Sequence, residues 1–262
     1  MNLTKYFFIL VLLGMLVSCG KSEKKLAAEK FVLAQNLYKM GDTTEALQQL
    51  DTIHKLYKGA VQTIVEASQF KKKIYGDLFY QKQDEMDSLK VKLEKLESKF
   101  VKEKTEFDRY TQYIYKRQEF KRRWNKSFIQ VHLDERGELY ISSNYYGDQW
   151  LEHTGIRVYD NDIQAKTKNI PLDNALNHRS DFLDTKWEKV SYRDDAENGI
   201  IEFIAQHADR NLKAVFLGSR YYYIVLETYD KQAIVDALAL SKVLKQKAKL
   251  EQEIKSLQSK VG

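Results

Sequence analysis

Histidines close to acidic residues are the side chains of this sequence that come nearest to an acid–base site. His132 stands two positions before Asp134, and His153 directly follows Glu152. An imidazole beside a carboxylate can transfer protons near neutral pH. Neither pair has a nearby serine in a catalytic turn, and the five histidines of the chain do not show the spacing of a zinc site. We therefore expect no catalytic residues, no metal and no cofactor, with a hydrolase as the alternative.

Aromatic side chains form the richest cluster of candidate binding residues. Exposed Tyr and Trp rings stack on sugars and anchor protein partners. The segment 144–150 predicts a loop on a rigid scaffold, and loops often hold binding residues. Tyr145, Tyr146 and Trp150 in this segment are therefore the candidate ligand-binding residues. Packing within a sheet is the alternative explanation for the aromatic cluster, whose other members are Tyr140, Tyr159 and Tyr221-Tyr222-Tyr223.

The single cysteine, Cys19, follows a short apolar segment near the N-terminus. Residues 6–17 are apolar after Lys5, a run shorter than the ~20 residues of a bilayer span but typical of a signal peptide. The run ends in Leu16-Val17-Ser18-Cys19-Gly20, which resembles the lipobox of bacterial lipoproteins. The resemblance implies cleavage between Ser18 and Cys19, a diacylglycerol thioether on the Cys19 sulfur and an acyl chain such as palmitate on its amine. Two or more acyl chains anchor a protein stably; an ordinary secretory signal or an uncleaved anchor is the alternative.

The residues after the cysteine indicate a location. Residues 20–25 are a short basic tether, and Gly20 is not the Asp that can retain a lipoprotein in the inner membrane. The chain is similar in style to Bacteroidetes lipoproteins, although it lacks the acidic cluster typical of those exposed at the cell surface. The resemblance implies an outer-membrane lipoprotein that faces the periplasm. A net charge of +6 over 262 residues is mild and predicts no nucleic-acid partner.

Residues 26–80 predict a base of three helices. The helical period over 26–57 is interrupted at Gly41-Asp42, where glycine suits a left-handed turn and Thr43 or Asp42 can cap the next helix. The block resembles one tetratricopeptide repeat, with matches at Leu33, Ala34, Leu37, Gly41, Ala46 and Leu50. A single repeat does not build the superhelical groove of such proteins. We therefore expect a base that covers its own apolar faces, with a peptide-binding groove as the alternative.

Two distant heptad patterns predict a coiled-coil stalk. Apolar residues recur at alternating steps of three and four over 86–114 and again over 240–261. Each pattern contains one charged residue, Glu103 in the first and Lys247 in the second. If the two helices run antiparallel with Glu103 and Lys247 as the register pair, apolar residues face one another along the whole seam. Two helices that pack independently are the alternative.

Between these patterns the period changes to two. Alternating residues predict hairpins near 126–143, 156–168 and 212–228 and a strand near 187–192, with one helix after Asp194 or Asp195. The expected fold class is α+β: a helical base, a long antiparallel two-helix stalk, and an inserted, mostly antiparallel head.

The predicted organisation is a signal peptide over 1–18, the lipidated cysteine and tether over 19–25, the base over 26–80, the stalk over 81–120 and 231–262, and the head over 121–230. It indicates a membrane-anchored, non-enzymatic scaffold or binding module. Its expected partners are the membrane, through the N-terminal lipid, and a protein or glycan of the cell envelope. Glycan or peptidoglycan binding through the head aromatics and an envelope hydrolase are the alternatives.

Overall fold

The computed structural model describes residues 22–106, 108–118, 125–182 and 184–261. These residues belong to two compact units, the first within Met1–Lys82 and Ile254–Gly262 and the second within Gln83–Glu253. The predicted signal peptide and lipidation site, including Ser18 and Cys19, lie outside the described residues. Helices and antiparallel strands both occur, which confirms the predicted α+β class.

Five α-helices occur among the described residues. They are α1 (Glu23–Lys39), α2 (Thr43–Leu56), α3 (Val61–Glu97), α4 (Ile200–Gln206) and α5 (Thr228–Val261). Charged residues are spread along the two longest helices, and no helix in the described ranges is apolar enough over a sufficient length to cross a bilayer.

The first unit has the turn and the core that the sequence predicts for the base. Gly41 adopts a φ of 87°, a conformation that L side chains rarely adopt. The Asp42 carboxylate then accepts a hydrogen bond from the backbone N–H of Glu45 at 3.1 Å, which caps α2. Small and branched side chains from α1, α2 and the start of α3 are fully buried together, among them Ala27, Ala34, Ala46, Leu50, Ile53, Ala67 and Ile74.

Residues 98–115 contradict the predicted stalk, because the helix α3 ends at Glu97 and the chain continues as strands. Strand β1 (Phe100–Glu103) pairs antiparallel with β2 (Gln112–Tyr115). Phe100 is buried with its ring edge-on to Tyr115, at 5.4 Å between ring centres. Aromatic and β-branched residues favour strands, and here their spacing also happens to fit a heptad. The helical period alone therefore led to the wrong assignment.

The predicted register pair is also wrong. Glu103 is exposed on β1, where its backbone pairs with Gln112. Lys247 lies on α5, and its Nζ is 3.6 Å from the Glu251 carboxylate of the same helix. The two residues are on different kinds of element, and Lys247 meets Glu251 instead of Glu103.

The second unit contains two antiparallel sheets. Their remaining strands are β3 (Phe128–Asp134), β4 (Leu139–Gly147), β5 (Gly155–Asp160), β6 (Ile163–Lys166), β7 (Asn177–Phe182), β8 (Thr185–Tyr192), β9 (Lys213–Leu217) and β10 (Tyr221–Val225). The six-stranded sheet has the order β1-β2-β3-β4-β8-β7, and the four-stranded sheet has the order β10-β9-β5-β6. The predicted hairpins and the strand near 187–192 are confirmed. The segment 144–150 is not wholly a loop, because β4 continues to Gly147.

Side chains from the two sheets meet at the inner face of each. Tyr145 of β4 contacts Tyr222 of β10, with 5.0 Å between ring centres. The first turns of α5 cover another part of the six-stranded sheet, where Asp236 accepts hydrogen bonds from Lys99 at 2.7 Å and from the Tyr115 hydroxyl at 3.1 Å.

Candidate functional site

A serine, a histidine and a glutamate form a hydrogen-bonded chain inside the second unit. Ser143 Oγ lies 2.7 Å from His153 Nε2, and His153 Nδ1 lies 2.6 Å from Glu188 Oε2. Ser143 Oγ also lies 3.0 Å from the Tyr192 hydroxyl. This order of groups is that of a serine hydrolase, in which the acid orients the imidazole and the imidazole activates the hydroxyl.

Burial separates this chain of groups from any substrate. Ser143, His153, Glu188 and Tyr192 each have 0% of their surface exposed. A nucleophilic hydroxyl must come within about 3.5 Å of the atom it attacks, and Ser143 has no surface in contact with solvent. Since β4, β8 and the segment before β5 close around it, the arrangement works as a structural polar network.

Glu188 is the residue that organises this network. Its carboxylate accepts backbone N–H bonds from Leu151 at 2.6 Å, Glu152 at 2.8 Å and His153 at 3.1 Å. Burial raises the pKa of Glu188, but the hydrogen bonds from His153 and the backbone outweigh it, so the net pKa lies below its usual value. A charged carboxylate therefore holds residues 151–153 against β8, and the imidazole Nδ1 donates to it.

The predicted partners of the two candidate histidines differ from the observed ones. His153 contacts Glu188 instead of Glu152. His132 lies on β3, where its Nε2 is 2.9 Å from Ser142 Oγ and its ring stacks on Tyr140. Burial, helped by the positive charges of Lys189 and Arg193, lowers the pKa of His132 from 6.5 to about 3. His132 is therefore neutral at physiological pH.

The candidate binding aromatics do not share one surface. Tyr145 is 4% exposed, and its hydroxyl donates to the Gln149 carbonyl, so it belongs to the core. Tyr146 points to the opposite face of β4, where it is paired with Trp187 of β8. Trp150 is half-buried beneath Lys186, whose Nζ lies 5.4 Å from the indole centre. The three rings therefore do not form a single ligand site.

The exposed aromatic surface lies instead on β10. Tyr221, Tyr223 and Val225 point to one face of the four-stranded sheet and are 63%, 56% and 61% exposed. We call these three side chains the edge-strand surface. The residue between the two tyrosines, Tyr222, points to the other face and packs on Phe216. The alternation of side chains along a strand predicted this split, but it did not predict which face would be covered.

No strand among the described residues pairs with β10 on its outer side. Strand β10 ends the four-stranded sheet, and its pairing with β9 is antiparallel. The backbone N–H of Leu226 donates to Leu212 at 2.9 Å, and hydrogen-bonded residues alternate along such a pair. The backbone N–H and C=O groups of Tyr221, Tyr223 and Val225 therefore point away from β9. An exposed apolar edge without Lys, Pro or a bulge is a template for a partner.

Comparisons with known proteins give no further guide. Neither a protein-family model, nor a curated protein, nor a solved structure matches the chain. Within the described ranges, no group of three His, Cys, Asp or Glu side chains is arranged to hold a metal ion.

Proposed function

We propose that the protein is an outer-membrane lipoprotein, anchored through Cys19, that serves as a non-enzymatic binding module for a partner in the cell envelope. The lipobox-like residues 16–20 support the anchor. The edge-strand surface is the observation that supports binding, because it combines exposed rings with unpaired backbone groups. The burial of Ser143 argues against the alternative of an envelope hydrolase that uses the Ser143, His153 and Glu188 groups.

The anchor is tested by labelling growing cells with an alkyne analogue of palmitate. Wild-type protein should take up label and stay with the membrane fraction, since acyl chains on Cys19 provide the attachment. A Cys19→Ser variant should take up no label. Labelling of the Cys19→Ser variant at the wild-type level would contradict a lipid on Cys19.

Binding at the edge-strand surface is tested with the mature chain in which Ser replaces Cys19. Cosedimentation with purified envelope fragments should fall at least tenfold for Tyr223→Lys, because lysine on an edge strand opposes strand addition and removes the aromatic contact. Tyr80→Lys is the matched control, since Tyr80 is an exposed tyrosine on α3 and is 67% exposed. Equal cosedimentation of the wild type and the Tyr223→Lys variant would refute the role of this surface.

A two-helix coiled coil of α3 and α5, shorter than the sequence predicted, is part of the proposal. Its support in the first unit is that Lys260 Nζ lies 5.1 Å from the Tyr75 ring centre. In the second unit, burial raises the pKa of Glu97, but hydrogen bonds from Lys102 and Tyr113 and the charge of Lys247 lower it overall.

Cysteine pairs in the Cys19→Ser chain test the antiparallel pairing of α3 and α5. A short bifunctional maleimide should link Tyr75→Cys to Lys260→Cys. It should not link Tyr75→Cys to Lys249→Cys, because position 249 lies about 16 Å from position 260 along α5 at 1.5 Å per residue. Linking in the second pair alone would contradict the pairing.

A further inference from the structure

A cleft opens on the same face of the four-stranded sheet as the edge-strand surface. Its volume is about 320 Å³, and its lining includes Thr154, Arg157, Lys166, Asn169, Leu217 and Tyr221. Binding sites for small molecules begin near this size, at roughly 300 Å³. The lining contains two cations and no carboxylate.

The two cations of the cleft stand directly opposite each other. Arg157 on β5 is paired in register with Lys166 on β6, so both side chains lie on one face of the sheet. Like charges in such a pair destabilise a sheet. Neither side chain forms an ion pair or a hydrogen bond with another described residue. The pair therefore leaves two positive charges without an anion between them.

Arg157 also has a buried nitrogen that nothing in the described chain satisfies. Its Nε is shielded from solvent and has no hydrogen-bond acceptor, while its guanidinium lies 5.4 Å from the Tyr159 ring centre. Buried polar atoms almost always have a partner, so the described chain does not supply Arg157 with its full set of acceptors. A carboxylate fits the guanidinium because its two oxygens match the fork of N–H donors.

The other walls of the cleft suit a sugar ring. Tyr221 presents an exposed ring that can stack on the apolar face of a pyranose. Asn169 and Thr154 provide amide and hydroxyl groups that can bond to sugar hydroxyls. Leu217 adds an apolar patch beside Tyr221, to which it is paired in register. Charged, aromatic and neutral polar groups are thus combined within one cleft.

From these features we propose that the cleft binds a carboxylate-bearing sugar, with Arg157 and Lys166 on the carboxylate and Tyr221 on the ring. The inference rests on the proposed binding function and names the class of ligand. It explains why the chain keeps a repulsive pair on its surface, since the pair becomes favourable once an anion lies between the two charges.

Titration calorimetry with the mature Cys19→Ser chain tests the proposal. A galacturonate trisaccharide should bind, and the neutral galactose trisaccharide should bind at least tenfold more weakly. Arg157→Gln, Lys166→Gln and Tyr221→Ala should each weaken galacturonate binding at least tenfold. Lys213→Gln is the matched control, because Lys213 is a neighbouring cation on β9 outside the cleft lining. Equal binding of the two trisaccharides, or of inorganic phosphate and galacturonate, would overturn the assignment.

A charge reversal adds the melting temperature as a second readout, and this readout needs no ligand. Lys166→Glu places an acid opposite Arg157, so it should raise the melting temperature while abolishing galacturonate binding. A lower melting temperature for this variant than for Lys166→Gln would contradict the repulsion argument. If galacturonate does not bind but Tyr223→Lys still prevents cosedimentation with envelope fragments, only the ligand class fails and the binding function stands.

Discussion

Replacing Glu188 by glutamine should destabilise the second unit more than any other single isosteric change in its core. The carboxylate has no exposed surface and accepts four hydrogen bonds. One oxygen faces the backbone N–H groups of Leu151 and Glu152, and the other faces the backbone N–H and the imidazole Nδ1 of His153. A glutamine amide has only one oxygen, so its NH2 group faces either the N–H groups of Leu151 and Glu152 or the backbone N–H of His153. In the second orientation the imidazole can change tautomer and accept from the NH2 group, so at least one donor loses its acceptor.

The size of the effect follows from the bonds that are lost. Each hydrogen bond to a charged group contributes about 1.5–3 kcal/mol, so the loss of one or two costs about 1.5–6 kcal/mol. A native domain is stable by about 5–15 kcal/mol in total. Glu188→Gln should therefore remove a large part of the free energy of unfolding while leaving the shape of the side chain unchanged.

Urea denaturation followed by tryptophan fluorescence measures this loss. All three tryptophans of the chain lie within 83–253, so the signal reports on the second unit. Glu152→Gln is the matched control, because the Glu152 side chain is 45% exposed and its charged partner among the described residues is Arg179, at 3.8 Å. It should change stability by about 0.5 kcal/mol or less. A loss below about 1 kcal/mol for Glu188→Gln would refute the role assigned to the buried network.

Three further outcomes are expected. The pKa of His132 is about 3 in the folded protein and 6.5 in the unfolded chain, so the unfolded chain takes up a proton first as pH falls between these values. The free energy of unfolding should therefore fall by up to about 1.4 kcal/mol per pH unit through this window. Urea titrations at pH 6.5 and 4.5 should show this fall in the wild type and a smaller one in His132→Gln. Asp42→Ala should lower the free energy of unfolding by about 1 kcal/mol, because it removes the α2 cap. Asp84→Ala, at an exposed position on α3, should lower it little in the same circular-dichroism melt. Gly218→Ala should lower the melting temperature strongly, because the added Cβ would lie 2.0 Å from the Leu151 carbonyl oxygen. An unchanged melting temperature would show that the loop before β5 moves to make room for the Cβ.

Local signals in the sequence predicted the elements that depend on neighbouring residues. The Gly41-Asp42 turn needs only a glycine with positive φ and a capping carboxylate, and both are visible in the sequence. The hairpins of the head follow from alternating side chains joined by short polar turns. These features hold because their stability comes mainly from residues a few positions apart.

The errors arose where distant contacts decide the structure. Phe100 fits a heptad as well as a strand, and only its contact with Tyr113, at 6.2 Å between ring centres, distinguishes the two. Glu188 meets His153 across 35 positions, so no local spacing reveals the pair. A signal was present, however: alternation with Val190 and Tyr192 places Glu188 on the buried face of β8, where an acid needs partners.

Backbone amide exchange of β10 tests most directly whether the exposed face of the four-stranded sheet binds the envelope partner. In the free protein the amides of Tyr221, Tyr223 and Val225 should exchange quickly, because they point away from β9. Soluble fragments released from the envelope should slow exchange in the peptide that contains the edge-strand surface. Unchanged exchange there, with protection appearing only in the first unit, would contradict the account.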